Sequence, residues 1–179
     1  MKKKDKIAFQ GEMGAYSHLA SKKTFPNAEI IPCATFEDAF KLAKQNSEIK
    51  IVMPIENSLV GRVADIHYLI TKYKLQIHAE HFQKVSHNLL GIKGSKIENI
   101  KTVRSHTQAL SQCQKIISEN KLETIVAADT AGSAKYISEH HDKTQSAIAS
   151  DLAAKIYNLE ILKKNIEDET GNVTRFLIM

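Results

Sequence analysis

The last eight residues of the chain set a threonine and an arginine beside four apolar residues, in the segment Asn172-Val-Thr-Arg-Phe-Leu-Ile-Met179. An apolar run of this kind predicts a buried strand. Because an isolated buried charge is costly, Arg175 is expected to meet an anion, which is either a structural carboxylate or a ligand. Taken alone, the segment favours the structural carboxylate. The rest of the sequence shifts the balance towards a ligand.

Polar clusters recur where a predicted strand gives way to a predicted helix. In open α/β sheets this edge faces the ligand crevice, and backbone N–H groups at helix N-termini favour anions. Each cluster also has a simpler explanation, because Ser, Thr, Asn and Asp are the preferred N-caps of helices. Four clusters at corresponding edges can converge, so the residues alone predict a two-lobed α/β binder of a small anion. The clusters are Gln10–Ser17, Glu56–Ser58, Ser105–Gln108 and Asp129–Ser133.

Several kinds of site are excluded by motif spacing. The glycines follow neither G-x-G-x-x-G nor a P-loop, which argues against nucleotide binding, and no G-x-S-x-G elbow marks a serine nucleophile. His106 follows a predicted strand and is the best histidine candidate for catalysis, although a hydrogen-bonded turn residue explains it equally well. The eight histidines and two cysteines show no spacing that supplies a full set of metal ligands, so no metal is expected.

Composition limits the class of protein. The chain has 179 residues, 42% of them hydrophobic, which suffices for one ordinary core or two small lobes. No apolar run approaches the ~20 residues that span a membrane, and no signal-peptide pattern follows the basic N-terminus, so a cytoplasmic protein is expected. The net charge is +5, but the lysines are scattered and Trp is absent, which argues against nucleic acid. A mild positive field would favour a small dianionic substrate.

Short apolar runs alternate with segments of helical period, which predicts an α/β architecture. An uninterrupted strand-like stretch from Leu75 to Ile92 is expected to carry the chain between lobes. Lobe 1 is predicted at 1–77 plus about 170–179, and lobe 2 at 78–169. Strands are predicted at 6–9, 29–32, 49–54, 75–83, 86–92, 100–103, 124–127, 146–149, 160–165 and 173–179. Helices are predicted around Phe36–Ala43, Arg62–Tyr73, Leu110–Ile117, Thr130–Ser138 and Ser150–Tyr157.

Longer motifs run through the chain in order. They are Ala8-Phe-Gln-Gly-Glu-Met-Gly-Ala-Tyr-Ser-His18, Pro54-Ile-Glu-Asn-Ser-Leu-Val-Gly-Arg-Val63, Val103-Arg-Ser-His-Thr-Gln-Ala-Leu-Ser-Gln-Cys113, Ala147-Ile-Ala-Ser150 and Asn172-Val-Thr-Arg-Phe176. Together they resemble the catalytic domain of the prephenate dehydratase family, with its P-x-E-N-S-x-x-G-x-V, S-H-x-Q-A-L-x-Q-C and T-R-F blocks. Family members usually have Pro where this chain has Thr107, a mild departure. The resemblance covers Ile7 to Met179.

The resemblance implies a fold like that of type II periplasmic binding proteins, with the active site in the cleft between two lobes. It implies conversion of prephenate to phenylpyruvate in L-phenylalanine biosynthesis, with loss of water and carbon dioxide and with no cofactor. Catalytic roles fall on Thr174, Glu56 and Ser105. Thr174 is expected to donate or relay a proton, and Arg175 to hold a carboxylate. Substrate contacts fall on Ser17, Asn57, Ser58, His106, Gln108, Thr130, Ala131, Gly132, Asn172, Arg175 and Phe176.

Two rival functions stay open. Arogenate dehydratase differs only in a substrate amino group where prephenate has a keto group, and sequence does not separate the two. A non-catalytic small-anion binding module could use the same two-lobed fold. Neither an ACT regulatory domain nor a chorismate mutase domain is expected within these residues, and inhibition by phenylalanine is therefore not expected. Prephenate is the expected small-molecule partner, with no nucleic acid or membrane, and the sequence is compatible with a homodimer.

Overall fold

In the computed structural model, which describes residues 4–179, the chain forms two units, each built around its own β-sheet. Unit 1 consists of the described residues through Glu12, Tyr16–Val85 and Gly171–Met179, and unit 2 consists of Met13–Ala15 and Ser86–Thr170. Two sheets accompanied by helices confirm the predicted α/β class. Within the described range, no helix is both long enough and apolar enough to cross a bilayer.

The sheet of unit 1 combines parallel and antiparallel strands in the order β2-β1-β3-β11-β5, with β4 paired to β3. Its strands are β1 (Lys6–Gln10), β2 (Glu29–Cys33), β3 (Ile49–Asn57), β4 (Gly61–Arg62), β5 (Ala79–Lys84) and β11 (Val173–Ile178). β1 runs parallel to β2 and β3, whereas β11 runs antiparallel to β3 and β5. β2 contains Pro32, which an edge strand tolerates because its outer N–H has no partner to lose.

Helices cover both faces of this sheet. They are α1 (Tyr16–Thr24), α2 (Phe36–Gln45) and α3 (Ala64–Tyr73). α1 packs on one face, over a core that includes Ile7, Val52, Phe176 and Ile178. α2 and α3 pack on the other face, over a core that includes Met53, Ile55, Leu177 and Met179. The alternation of Val52 with Met53, and of Phe176 with Leu177, follows from the two-residue period of a strand.

The sheet of unit 2 has the order β10-β6-β9-β7-β8. Its strands are β6 (Asn88–Gly91), β7 (Thr102–Ser105), β8 (Glu123–Val126), β9 (Gln145–Ala149) and β10 (Glu160–Lys163). β7 runs parallel to both β8 and β9, so the carboxyl ends of these three strands lie at one edge. The helices are α4 (Thr107–Ser111), α5 (Gln114–Glu119), α6 (Thr130–His140) and α7 (Asp151–Ile156), and a 3₁₀ turn spans Ile97–Asn99.

All ten predicted strands are present, with ends that differ by a few residues. The predicted helix around Leu110–Ile117 is two short helices, because Cys113 between them has non-helical dihedral angles. The first chain crossing also differs from the prediction, since unit 1 continues through Val85 instead of ending near His78. The reason is that β5 pairs along its length with β11, which keeps this strand in the sheet of unit 1.

Candidate active-site residues in each unit

The side chain of Thr174 is buried at the start of β11, next to two asparagines. Nδ2 of Asn57, the last residue of β3, donates to Oγ1 of Thr174 at 2.9 Å and to Oδ1 of Asn172 at 2.7 Å. Strand pairing creates this contact, because Thr174 lies directly opposite Asn57 in the antiparallel register. The structure therefore brings together three of the residues that the sequence assigned to a site.

The amide of Asn57 has one defined orientation. Its Oδ1 accepts the backbone N–H groups of Leu59 at 3.0 Å and Val60 at 3.1 Å, so its NH₂ group must face Thr174. Oγ1 of Thr174 therefore acts as an acceptor towards Asn57. Among the described residues the Thr174 hydroxyl proton has no acceptor, which leaves it available to donate to a bound molecule.

Ser58 connects the end of β3 to the chain entering β11. Its hydroxyl donates to the carbonyl of Gly171 at 3.0 Å and accepts the N–H of Val173 at 3.0 Å. Its own N–H donates to the carbonyl of Val173 at 2.9 Å. Because the hydroxyl donates one hydrogen bond and accepts another in this way, Ser58 holds the turn together, and its ligand contact stays a prediction.

Arg175 lies on the opposite face of the sheet from Thr174. Its Nε and Nη2 each lie 2.7 Å from Oε2 of Glu80 on β5, and its guanidinium lies 6.0 Å from the ring centroid of Phe82. A shallow pocket of about 370 Å³ opens beside this pair, lined by Ile55, Ile77, His78, Ala79, Glu80, Arg175 and Leu177. Arg175 has thus found the structural carboxylate that its segment alone favoured, and in this arrangement its guanidinium is engaged by a residue of the chain itself.

Glu56 shares a sheet face with Arg175 instead of with Thr174. A register shift in the pairing of β3 with β11 leaves Ile55 as an extra residue, so that Glu56 lies opposite Arg175 on one side and opposite Arg62 on the other. Its side chain is exposed, and among the described residues no hydrogen bond to it occurs.

Phe176 and Gln83 are both buried, but only Gln83 lies on the Thr174 side chain's cross-strand position. Phe176 is 1% exposed and packs among the core residues under α1, and its substrate contact stays a prediction. Gln83 was not predicted, yet it is buried on β5 directly opposite Thr174. Its Nε2 donates to the carbonyl of Lys84 at 2.6 Å. Buried polar residues are uncommon in strands, and Gln83 could have been noticed on that ground.

Ser17 lies in the first turn of α1, the helix that packs across β1, β3 and β5 on the Thr174 face. The next residue, His18, is almost fully buried and stacks on Phe9 with ring centroids 5.5 Å apart. Burial, together with the nearby charge of Lys22, lowers the pKa of His18 from 6.5 to about 4. The imidazole is therefore neutral at pH 7 and serves the packing of α1.

In unit 2, Ser105 does not offer a hydroxyl to a ligand. It ends β7 fully buried, and Oγ donates to the carbonyl of Ile148 on β9 at 2.7 Å. This hydrogen bond joins neighbouring strands, and the catalytic role of Ser105 stays a prediction. His106 follows as the N-cap of α4, where Nδ1 accepts the N–H of Gln108 at 3.3 Å. When the His106 ring is neutral, this arrangement leaves its proton on Nε2, which can then act as a hydrogen-bond donor. The side chain of Gln108, another predicted substrate contact, is exposed.

The N-terminus of α6 follows β8. Asp129 is its N-cap, and Oδ1 of Asp129 accepts the N–H of Gly132 at 2.6 Å. The backbone N–H of Gly132, a residue predicted to bind substrate, is therefore already engaged by the cap. Ala131 is fully buried and can contribute only through its backbone. Thr130 is half-buried and begins the helix. The first-turn N–H groups of Thr130 and Ala131 have no intrahelical partner, as in any α-helix.

Within unit 2 the predicted residues do meet at one sheet edge. His106 follows β7, Thr130 follows β8, and Ser150 follows β9 as the N-cap of α7, and these three strands are parallel neighbours. Helix N-capping accounts for part of each of these polar clusters, which is the simpler explanation that the sequence left open. Residues 4–179 contain no group of three or more His, Cys, Asp or Glu side chains arranged to hold a metal ion. Whether the activity needs a metal stays a prediction.

Comparison with known proteins identifies the family. The family model described as "Prephenate dehydratase" matches residues 7–179. The chain belongs to the prephenate dehydratase family. It is 44% identical over 172 residues to a bifunctional N-acyl-homoserine lactone acylase/prephenate dehydratase of Komagataeibacter europaeus, covering 96% of this chain and 61% of that protein. It is 45% identical over 176 residues to arogenate dehydratase/prephenate dehydratase 1 of Arabidopsis thaliana, covering 98% of this chain and 45% of that protein.

Solved structures agree with the family. Prephenate dehydratase from Arthrobacter aurescens, crystallised with L-Phe, superposes with a TM-score of 0.87 at 26% identity, covering 97% of this chain and 63% of that one. A nutrient binding protein from Burkholderia cenocepacia, bound to methionine, has a TM-score of 0.50 at 11% identity over 97% of this chain and 83% of that one, which shows the fold alone. The expected periplasmic-binding-protein-like fold is thus confirmed, whereas the predicted cleft site stays a prediction. The chain spans 45–61% of the length of the two curated relatives.

Proposed function

We propose that this chain is the catalytic domain of a prephenate dehydratase and converts prephenate to phenylpyruvate. Membership of the family supports this proposal, as does the match of its model to residues 7–179. The observation that carries it furthest is the Asn57–Thr174 contact of 2.9 Å, which orients a threonine hydroxyl as a donor.

The reaction requires two bonds to break in the cyclohexadiene ring of prephenate. The carbon–carbon bond to the ring carboxylate breaks, and its electron pair enters the ring as carbon dioxide leaves. The carbon–oxygen bond to the ring hydroxyl breaks, and that oxygen takes up a proton and leaves as water. Formation of the aromatic ring drives both events. The difficult part is the departure of hydroxide, which a hydrogen-bond or proton donor at the oxygen assists.

We assign that donor to Thr174. A threonine hydroxyl is too weak an acid to stay ionised, so it would donate a hydrogen bond or relay a proton. The NH₂ group of Asn57 donates to Oγ1 and so makes the hydroxyl a better donor, since linked hydrogen bonds strengthen one another. The hydrogen bonds from Leu59 and Val60 prevent the amide from rotating away.

Carboxylate binding is proposed for groups other than Arg175, whose guanidinium is occupied by Glu80. In unit 2 the first-turn N–H groups of α6, the Thr130 hydroxyl and the Nε2–H of His106 are donors at one sheet edge. Donors of this kind at a helix N-terminus favour an anion. They would also accept arogenate, which carries the same two carboxylates, and relatives named for each substrate are about equally similar to this chain.

The test is direct turnover. Purified protein is mixed with prephenate or with arogenate, and the appearance of phenylpyruvate or phenylalanine is followed with and without EDTA. Phenylpyruvate formation by the wild type, lost in Thr174→Ala and partly kept in Thr174→Ser, is the expected result. A folded chain that binds prephenate without turning it over would favour the binding module instead. The cytoplasmic location and the independence from metals stay predictions.

A further inference from the structure

The shallow pocket of unit 1 lies away from the Thr174 hydroxyl. It opens beside the ion pair of Glu80 and Arg175, and Arg175 lies on the opposite face of the sheet from Thr174. Its volume of about 370 Å³ falls at the lower end of the ~300–1,000 Å³ that is usual for small-molecule sites. The reaction proposed above makes no use of this pocket, so a ligand held there would be distinct from the substrate.

Four of the seven residues that line the pocket are aliphatic. Ile55 and Leu177 are each 7% exposed and belong to the core under α2 and α3, whereas the side chain of Ile77 is 49% exposed. Ala79, at the start of β5, is exposed as well. A ligand that covers an exposed isoleucine removes apolar surface from water, which is favourable. The lining therefore favours a ligand with a small aliphatic body.

One cation and one anion stand side by side at the same pocket. Nε and Nη2 of Arg175 both lie 2.7 Å from Oε2 of Glu80. Nη1 of Arg175 and Oε1 of Glu80 have no partner among the described residues, and both side chains are nearly half exposed. The ring of His78 also lines the pocket and makes no hydrogen bond within residues 4–179. The pair thus offers a donor for a carboxylate next to an acceptor for an ammonium group.

We propose that this pocket binds a small aliphatic α-amino acid as its zwitterion. The ligand carboxylate accepts from Nη1 of Arg175, its ammonium group donates to Oε1 of Glu80, and its side chain covers Ile77 and Leu177. Hydrogen bonds between charged groups are roughly twice as strong as neutral ones. A ligand with only a carboxylate would lie against Glu80, and one with only an ammonium group would lie against Arg175. Each would meet a like charge, whereas the zwitterion satisfies both residues.

Amide chemical shifts of the intact, isotopically labelled chain measure binding directly. L-Leucine is expected to cause saturable shifts in the amides of residues 77–80 and 175–177. Two analogues test the charges separately, since 4-methylpentanoate lacks the ammonium group and 3-methylbutylamine lacks the carboxylate. Each should bind about tenfold more weakly than L-leucine or worse, which is the scale of one hydrogen bond to a charged group.

Glu80→Gln tests the acceptor for the ammonium group. It should weaken the binding of L-leucine and of 3-methylbutylamine about tenfold. It should not weaken 4-methylpentanoate, which has no ammonium group to lose its partner. Glu29→Gln is the matched control, because it removes an exposed carboxylate of the same sheet whose Oε2 lies 3.7 Å from Nζ of Lys6. This control should bind L-leucine as the wild type does.

Ile77→Ser tests the aliphatic lining. The variant should bind L-leucine more weakly and glycine unchanged, because glycine carries both charges and no side chain to cover the isoleucine. Val126→Ser, at a 63% exposed position of unit 2, is the matched control and should keep the wild-type affinity for L-leucine.

Absence of saturable shifts in the amides of residues 77–80 overturns the proposal. Equal affinity for L-leucine and both singly charged analogues does so as well, because the ion pair would then play no part in binding. A third contrary result is L-leucine binding that is lost in Thr174→Ala and kept in Glu80→Gln. That outcome would place the amino acid at the proposed reaction site instead of in this pocket.

Discussion

Thr174 and Arg175 are adjacent in the chain, yet their side chains lie on opposite faces of the unit 1 sheet. Thr174 faces the side of α1 and accepts a hydrogen bond from Asn57, while Arg175 faces the side of α2 and α3 and binds Glu80. One small molecule cannot easily touch both side chains across a strand. The conspicuous threonine–arginine pair therefore divides into a candidate catalytic group and a structural ion pair.

Thr174→Ala is expected to lower kcat by about 10²–10⁴-fold, the range typical of a lost general acid. The interaction strengthens as hydroxide leaves, so its loss appears in kcat more than in KM. Thr174→Ser keeps the hydroxyl and should keep part of the activity. Steady-state kinetics with prephenate measure this, and thermal unfolding shows whether the variant is folded. Near-native turnover by folded Thr174→Ala would remove the mechanistic assignment.

Arg175→Ala is expected to leave kcat and KM for prephenate close to wild type. Both partners of its ion pair are nearly half exposed, so the stability loss should be no more than about 1 kcal/mol. Glu80→Gln should cause a similar loss, and the double variant should add little, because the two residues act as one pair. A large rise in KM for Arg175→Ala, with no such rise for Glu80→Gln, would return the arginine to the substrate site.

Asn57→Asp tests the orientation of Thr174. The new carboxylate can still accept the N–H groups of Leu59 and Val60, but it cannot donate to Oγ1, so the Thr174 hydroxyl should turn to donate to it. Loss of this orientation should lower kcat by roughly 10–100-fold, as expected for one misdirected hydrogen bond next to a charge. The double variant Asn57→Asp/Thr174→Ala should have a kcat only slightly lower than that of Thr174→Ala alone. Additive losses would mean that the two residues act independently.

Much of the fold was predictable because apolar runs mark strands, and every predicted strand is present. α1 was the exception, since its buried face consists of His18, Ala20 and Ser21 and so lacks an apolar period. The division at Cys113 was also hidden, because both short helices bury apolar residues at helical spacing. In these places burial is achieved with small or polar side chains, which periodicity does not detect.

The site was predictable in its residue types but less so in its geometry. Strand alternation in Asn172–Phe176 already implied that Thr174 and Arg175 point in different directions. The partner of Arg175, however, is Glu80 on a strand that is distant in sequence, and only the register of β5 with β11 brings them together. The buried hydroxyl of Ser105 likewise depends on the pairing of β7 with β9. Contacts between distant strands have no signal in a single sequence.

Stability should fall at acid pH because of His18, whose pKa in the folded chain is about 4. Unfolded, this histidine takes up a proton near its ordinary pKa of 6.5, so between these values the unfolded state binds more protons. The contribution of neutral His18 to the free energy of unfolding is present in full above pH 6.5. It is lost as the pH falls towards 4, and the loss is on the order of 2–3 kcal/mol. Burial also lowers the pKa of His87, which acts in the same direction.

Urea unfolding at several pH values between 4 and 7.5 measures this effect. His18→Gln should be less stable at pH 7.5, and its free energy of unfolding should depend less on pH than that of the wild type. His67→Gln, on an exposed position of α3, is the matched control and should retain the wild-type slope. Identical pH slopes for His18→Gln and the wild type would show that the pKa of His18 is the same in the folded and the unfolded chain.

Ser105→Ala separates a structural serine from a catalytic one. The hydroxyl is fully buried and donates to the carbonyl of Ile148, so its removal should cost about 1 kcal/mol of unfolding free energy. Because no part of the side chain reaches the surface, kcat for prephenate should stay close to wild type. Denaturant titration and kinetics on the same preparation measure both quantities. A fall in kcat of about 10²-fold or more at unchanged stability would restore the catalytic role that the sequence suggested.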